Sequence, residues 1–179
     1  ERDRALDFRV QQPEQSIELE FGGLKLGARV DRIDETQAGP VLIDYKTGDA
    51  RRSDWTPDAR LSDPQLPAYA LSQSPRPVAI SFVKLRPDQL CFEGLSEVDL
   101  GIRGVQRVGQ DSGYWKHAED WPALLAAWQE DLDGLGRAYL DGEAAVDPRK
   151  PDVCRYCQLQ ALCRIDERRG LETGQETRP

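Results

Sequence analysis

Methionine is absent from these 179 residues, and histidine occurs once, as His117. With Glu1 in first place, we read the chain as a piece of a longer one, with further elements expected upstream. Long apolar runs are also missing. The longest extend over a few residues, which excludes a membrane-spanning helix, since that needs ~20 apolar residues in succession. No secretory leader pattern is present. Positive charge is in deficit: 24 Lys and Arg stand against 32 Asp and Glu, a net of −8. That argues against a general nucleic-acid coat protein, which is usually basic.

The deficit is uneven. Residues 111–147 hold nine acids and two bases, whereas residues 148–169 hold six bases and three acids. A local basic surface is therefore compatible with the acidic whole. Cysteine is scarce as well, with four residues, but Cys154, Cys157 and Cys163 fall within ten positions. Such clustering, without secretory features, points to metal or cluster ligation rather than a disulfide framework. Cys91, between Leu90 and Phe92, reads as a core cysteine of a strand.

What is present suffices for one domain with a real core. Residues 16–22 alternate, with Ile17, Leu19 and Phe21 on one face and Ser16, Glu18 and Glu20 on the other, as a half-buried strand does. Gly22-Gly23 is a turn. A second strand is expected over residues 24–34, with Leu24, Leu26, Ala28 and Val30 on one face. Residues 35–40 form a polar loop broken by Gly39-Pro40. Residues 41–46 are a third strand.

Further strands are expected over residues 78–85 and 89–95. A helix runs from Gln65 to Leu71, capped by Ser62 or Asp63 with Pro64 in its first position. A long helix spans residues 120–140, with Asp120 as its cap and Trp121, Leu124, Leu125, Trp128, Leu132, Leu135 and Tyr139 as its apolar stripe. Gly134 and Gly136 weaken it. Residues 1–14 read as the tail of a helix or a linker, residues 100–116 are Gly-rich and ambiguous, and residues 171–179 read as a disordered tail. The domain plan is a core over residues 1–146, a cysteine segment over 147–170 and the tail.

Chemistry concentrates on the third strand. Alternate side chains of a strand point the same way, so Asp44 and Lys46 share a face. If the preceding loop is six residues long, antiparallel pairing sets Asp31 opposite Asp44, with Cβ atoms ~5 Å apart. Two carboxylates so placed repel unless a cation lies between them, which makes the pair a candidate divalent-metal site. Gln65 and Tyr69, four apart on the next helix, share a face. Asp34 reads as a turn residue and His117 as a surface or capping residue. Trp55, in the loop after the third strand, is placed to stack on an unpaired base.

These stretches carry a family resemblance. Gly27-x-x-x-Asp31-Arg32-Ile33-Asp34, then Ile43-Asp44-Tyr45-Lys46-Thr47-Gly48, then Gln65-Leu66-Pro67-Ala68-Tyr69-Ala70-Leu71 resemble the PD-(D/E)xK nuclease superfamily, and within it the RecB/AddB-type nuclease domain of bacterial helicase–nucleases. The resemblance implies an α/β, restriction-endonuclease-like core: a mixed central sheet flanked by helices. It implies that Asp31 and Asp44, with the main-chain carbonyl of Tyr45, hold Mg²⁺ or Mn²⁺. It makes Lys46 the catalytic lysine, and Gln65 and Tyr69 the residues that support the site and contact the DNA backbone. The activity implied is metal-dependent cleavage of DNA, exonucleolytic or endonucleolytic, in repair or recombination. DNA and a helicase domain or subunit are the implied partners, with no membrane, in a bacterial cytoplasm beside the nucleoid.

There are departures. Val30, not proline, precedes Asp31. The acid or histidine that such nucleases often supply from an upstream helix is not evident, and Glu14, Glu18 and Glu20 are poor substitutes.

The Cys154-x-x-Cys157-x₅-Cys163 triplet resembles that of iron–sulfur nucleases of the superfamily, which implies three ligands of a [4Fe–4S] cluster and a fourth cysteine upstream of Glu1. Zinc, with Cys91 or His117 as fourth ligand, is the alternative. Two other functions remain to be weighed: a nuclease-like module that binds DNA or a helicase without cutting, and a metal-stapled interaction module.

Overall fold

Apolar residues alternate with polar ones in short runs such as residues 16–21, and the strands these and later runs form lie between residues 8 and 107. The computed structural model describes residues 7–11, 13–57, 60–87, 89–111, 113, 115–165 and 167. The chain divides into two units, Glu1–Asp141 and Gly142–Pro179.

In the first unit, β1 (Phe8–Val10), β4 (Arg32–Thr36), β5 (Gly39–Lys46), β6 (Ala79–Arg86), β7 (Gln89–Ser96) and β8 (Val105–Arg107) form a six-stranded sheet in the order β1-β4-β5-β6-β7-β8. β5 and β6 run parallel, as do β7 and β8; the other neighbours are antiparallel. β2 (Gln15–Phe21) and β3 (Leu24–Val30) make a separate two-stranded sheet. Two helices belong to this unit, α1 (Gln65–Ser72) and α2 (Trp121–Leu140). The fold is therefore α/β, a mixed sheet flanked by helices, consistent with a restriction-endonuclease-like core.

Strand alternation splits the six-stranded sheet into two faces. Ile33, Leu42, Ile80 and Phe82 join Leu66, Ala70, Leu124 and Trp128 from the helices in the larger core. Val41, Ile43, Ala79 and Val83 form a smaller core with Leu100 and Ile102.

Five expectations need correction. The residues expected as one strand over 24–34 are two, because the backbone bends at Asp31 and passes from the small sheet to the large one. The following turn is Gln37-Ala38 rather than six residues, since Thr36 already pairs with Gly39. Residues 8–10 are not a linker but an edge strand, paired with β4. Pro64 occupies the cap position of α1 rather than its first turn, and Asp63 Oδ1 accepts from Gln65 N at 3.2 Å. Tyr139 is 71% exposed and so lies off the apolar stripe of α2. The stripe continues instead through buried Gly136, where a Cβ would stand 2.0 Å from the Phe21 carbonyl oxygen. The glycine expected to weaken α2 is what allows the helix to touch the β2–β3 turn.

α2 is held at its start by Asp120, whose carboxylate accepts from Ala123 N at 2.8 Å. Two buried indoles then anchor it: Trp121 Nε1 donates to Pro77 O and Trp128 Nε1 to Trp55 O. Among the described residues no helix is long and apolar enough to cross a membrane.

In the second unit, a 3₁₀ segment Pro151–Tyr156 precedes a short helical turn, Gln160–Cys163. Val153, Leu159 and Leu162 are exposed. Residues 171–179, expected as a disordered tail, lie outside the described residues.

Candidate active site

Topology determines which residues meet. β5 and β6 are parallel, and α1 is the connection between them. A helix that returns the chain antiparallel to β5 must begin near the carboxyl end of that strand. This brings Gln65, the first residue of α1, to Lys46, the last residue of β5.

The contacts are direct. Lys46 Nζ donates to Gln65 Oε1 at 2.7 Å. Gln65 Nε2 donates to Asp44 Oδ1 at 2.8 Å, and lies 3.2 Å from the Tyr69 hydroxyl, which accepts from it. Lys46 Nζ faces Asp44 Oδ2 at 2.9 Å. One glutamine side chain thus binds both charges of the Asp44–Lys46 pair through its two ends.

Asp31 stands just ahead of the β4 ladder. The register Arg32↔Ile43, carried back by one residue, sets Asp31 opposite Asp44. Asp31 Oδ2 accepts from Tyr45 N at 3.1 Å. The ladder stops one residue short of the expected pair, at a strand break that was not expected, and the charge of Asp31 is felt at Asp44. Tyr45 points its side chain to the other face, where its hydroxyl accepts from Arg32 Nη1 at 2.9 Å.

Asp44 is only 3% exposed. Burial raises its pKa above the ordinary carboxylate value; Lys46 opposes this, and the charges of Asp31 and Asp63 add to it. For Lys46, burial works against the ammonium. The Asp44 contact and the charges of Asp44, Asp63 and Asp31 outweigh it and hold its pKa above the ordinary value. The Lys46 ammonium also lies 5.6 Å from the centre of the Phe82 ring.

The donor set suits a hard divalent cation. Asp44 Oδ2 is buried, and among the described residues its strong partner is the Lys46 ammonium at 2.9 Å. A second carboxylate stands opposite. Oxygen donors of this kind are what Mg²⁺ and Mn²⁺ take. Among the described residues no group of three or more His, Cys, Asp or Glu side chains is arranged as a metal site. The carboxylate pair therefore fits as two ligands of a cation whose remaining positions go to other oxygens.

Sequence reasoning missed one member. Asp63 was expected only as a helix cap, yet its Oδ2 lies 3.9 Å from Lys46 Nζ. The signal available was its position two residues before Gln65. Two expectations fail. Trp55 is fully buried, with its ring 4.5 Å from that of Phe82, and has no face free for a base. Asp34 is not a turn residue. It is fully buried on β4 and paired with Arg32 at 2.6 and 3.0 Å. His117 is exposed beside Trp115.

Cys154, Cys157 and Cys163 carry free thiols in the second unit, and Cys91 is half-buried on β7. Cys157 N donates to Cys154 O, and Leu159 N to Cys157 Sγ at 3.4 Å. A cubane cluster takes four thiolates, and the described residues supply no such set by themselves.

Comparison with known proteins adds the following. The family model of the PD-(D/E)XK nuclease superfamily matches residues 2–164. No curated protein matches. Among solved structures, the crystal structure of SSO0001 is similar at 16% identity and a TM-score of 0.40, covering 86% of this chain. The match takes in 59% of that structure's length.

Proposed function

Since this chain belongs to the PD-(D/E)XK nuclease superfamily, we propose that it hydrolyses phosphodiester bonds of DNA with a divalent cation held by Asp31 and Asp44. The observation that carries the reading is the closed network of Asp44, Lys46, Gln65 and Tyr69 with Asp31 opposite.

The main-chain carbonyl of Tyr45 is the further oxygen assigned to the cation. Bound there, Mg²⁺ or Mn²⁺ would neutralise phosphate charge and acidify or orient a water. The residues of the chain do the rest. Asp31 and Asp44 bring two negative charges to one point, at a cost in folding that a cation relieves. Lys46 presents an ammonium fixed in direction, able to orient the attacking water or to stabilise charge that develops on the phosphate. Gln65 fixes both the acid and the lysine, and Tyr69 supports the glutamine. Fixing these groups in advance is worth more than their presence alone, because misplacement by about 1 Å costs up to ~100-fold in rate.

Within the superfamily we place the chain with the RecB/AddB-type domains of helicase–nucleases, acting in repair or recombination beside a helicase. The spacing of the three motifs and the cysteine triplet support this placement. The triplet is proposed as three of the four thiolates of an iron–sulfur cluster, with the fourth cysteine upstream of Glu1; iron content and brown colour of the anaerobically purified full-length protein test it, and colourless, iron-free full-length protein refutes it.

The test of the main reading is incubation of linear single- and double-stranded DNA with the protein in Mg²⁺, with and without a chelator. Cutting in Mg²⁺ that the chelator abolishes is expected. Binding of DNA without cutting would favour the non-catalytic module instead.

A further inference from the structure

We propose that Asp63 is a positioning residue, which keeps the Lys46 ammonium in place when a divalent cation engages Asp44. The inference rests on the nuclease reading above and adds a residue outside its three motifs.

Among the described residues, three polar side chains face Lys46 Nζ: Asp44 Oδ2 at 2.9 Å, Gln65 Oε1 at 2.7 Å and Asp63 Oδ2 at 3.9 Å. They respond differently to a cation. A divalent ion held by Asp31 and Asp44 offsets their two negative charges, so the attraction that Lys46 feels there is lost. Gln65 Oε1 is neutral and offsets only part of that change. Asp63 is the remaining carboxylate of the three, and it lies on the α1 side of the ammonium. Its charge then decides whether Lys46 stays beside the reacting phosphate.

The local structure suits such a role. Both residues before Pro64 are tied to one carbonyl, with Ser62 N and Asp63 N donating to Asp54 O at 3.0 and 3.4 Å. The loop is thereby pinned at the start of α1. Asp63 Oδ1 accepts from Gln65 N at 3.2 Å, which sets the side-chain direction and leaves Oδ2 toward Lys46. The helix start needs only an acceptor oxygen, which asparagine also has. The negative charge is not needed for that and is explained by Lys46. The side chain is about a quarter exposed, at 26%, so its charge is only partly screened.

The experiment combines Asp63→Asn, Lys46→Ala and the double variant on linear DNA in Mg²⁺, with thermal unfolding of each with and without Mg²⁺. Asp63→Asn is expected to lower kcat by about 10-fold to 100-fold with KM unchanged, as loss of positioning does. It should leave the Mg²⁺-induced rise in Tm at the wild-type size. In the Lys46→Ala background it should cost nothing further, since the group it positions is gone.

Three results would overturn the proposal. One is wild-type kcat in Asp63→Asn. Another is an undiminished loss in the Lys46→Ala background. The third is loss of the Mg²⁺-induced Tm rise, which would make Asp63 a cation ligand. A wild-type protein that cuts no DNA would overturn the nuclease reading and this inference together, whereas the other three leave that reading standing.

Discussion

At the scale of residues, the site is a set of charges that fold at a cost and are held by one amide. Asp44 is buried beside two other acids, and burial is the main reason its pKa is raised. Gln65 is the residue that makes the arrangement rigid. Gln65→Leu keeps the volume and the helix but removes the side-chain hydrogen bonds to Lys46, Asp44 and Tyr69. It is expected to lower kcat by about 10-fold or more while Tm changes little, measured by cleavage kinetics and thermal unfolding. The five motif residues were legible because strand and helix periods dictate which side chains share a face. Asp63 was not, because its reach to Lys46 depends on how a loop returns from β5 to α1. Trp55 was misread for a similar reason. Its burial is produced by Phe82 and Trp128, and no local pattern announces packing that distant.

At the scale of elements, close approach and charge pairing decide two predictions. Gly136→Ala would favour the helix by about 1 kcal/mol on propensity alone. Here the new Cβ meets the Phe21 carbonyl, so we expect a net loss of about 1–3 kcal/mol instead. Gly134 has open space where its Cβ would be, and Gly134→Ala should be neutral or stabilising by up to about 1 kcal/mol. Chemical denaturation of the two variants separates packing from propensity.

Glu93 joins β7 to β6 through Lys84 at 2.6 Å and to the turn after β5 through Arg52 N at 3.0 Å. Burial opposes its charged form, but Lys84 and Arg52 outweigh burial and hold its pKa below the ordinary value of 4.5. The folded pKa is the lower one, so this stability is present above the unfolded pKa and is lost as pH falls through the folded pKa. Glu93→Gln should therefore cost about 1–3 kcal/mol at neutral pH, with the gap to wild type closing in acid. The antiparallel pairing of residues 24–34 with 41–46 was legible, with a register that the β4–β5 ladder keeps. The break at Asp31 was missed although a signal was there: the apolar positions run on even numbers to Val30 and shift to Ile33 beyond it, a change of phase that a single strand does not make.

At the scale of the whole molecule, the fold places acids where a cation would be welcome. The mixed sheet was legible as a class through the family resemblance, and the strand order bears it out. β1 and β8 were not, because three-residue edge strands carry too little pattern to stand out from charged or Gly-rich sequence. A site that repels itself when empty should bind its cation with a gain in stability. At Mg²⁺ of 100 times Kd, the first unit is expected to gain about 2.7 kcal/mol, read as a rise in Tm, and Asp31→Asn should lose most of that gain.

The central claim is that Asp44 and its partners run phosphodiester hydrolysis. Its most direct measurement compares cutting of linear DNA in Mg²⁺ by the wild-type protein and by Asp44→Ala, both confirmed folded. The account predicts cutting by the first and none detectable from the second. Cutting that persists in Asp44→Ala would contradict it.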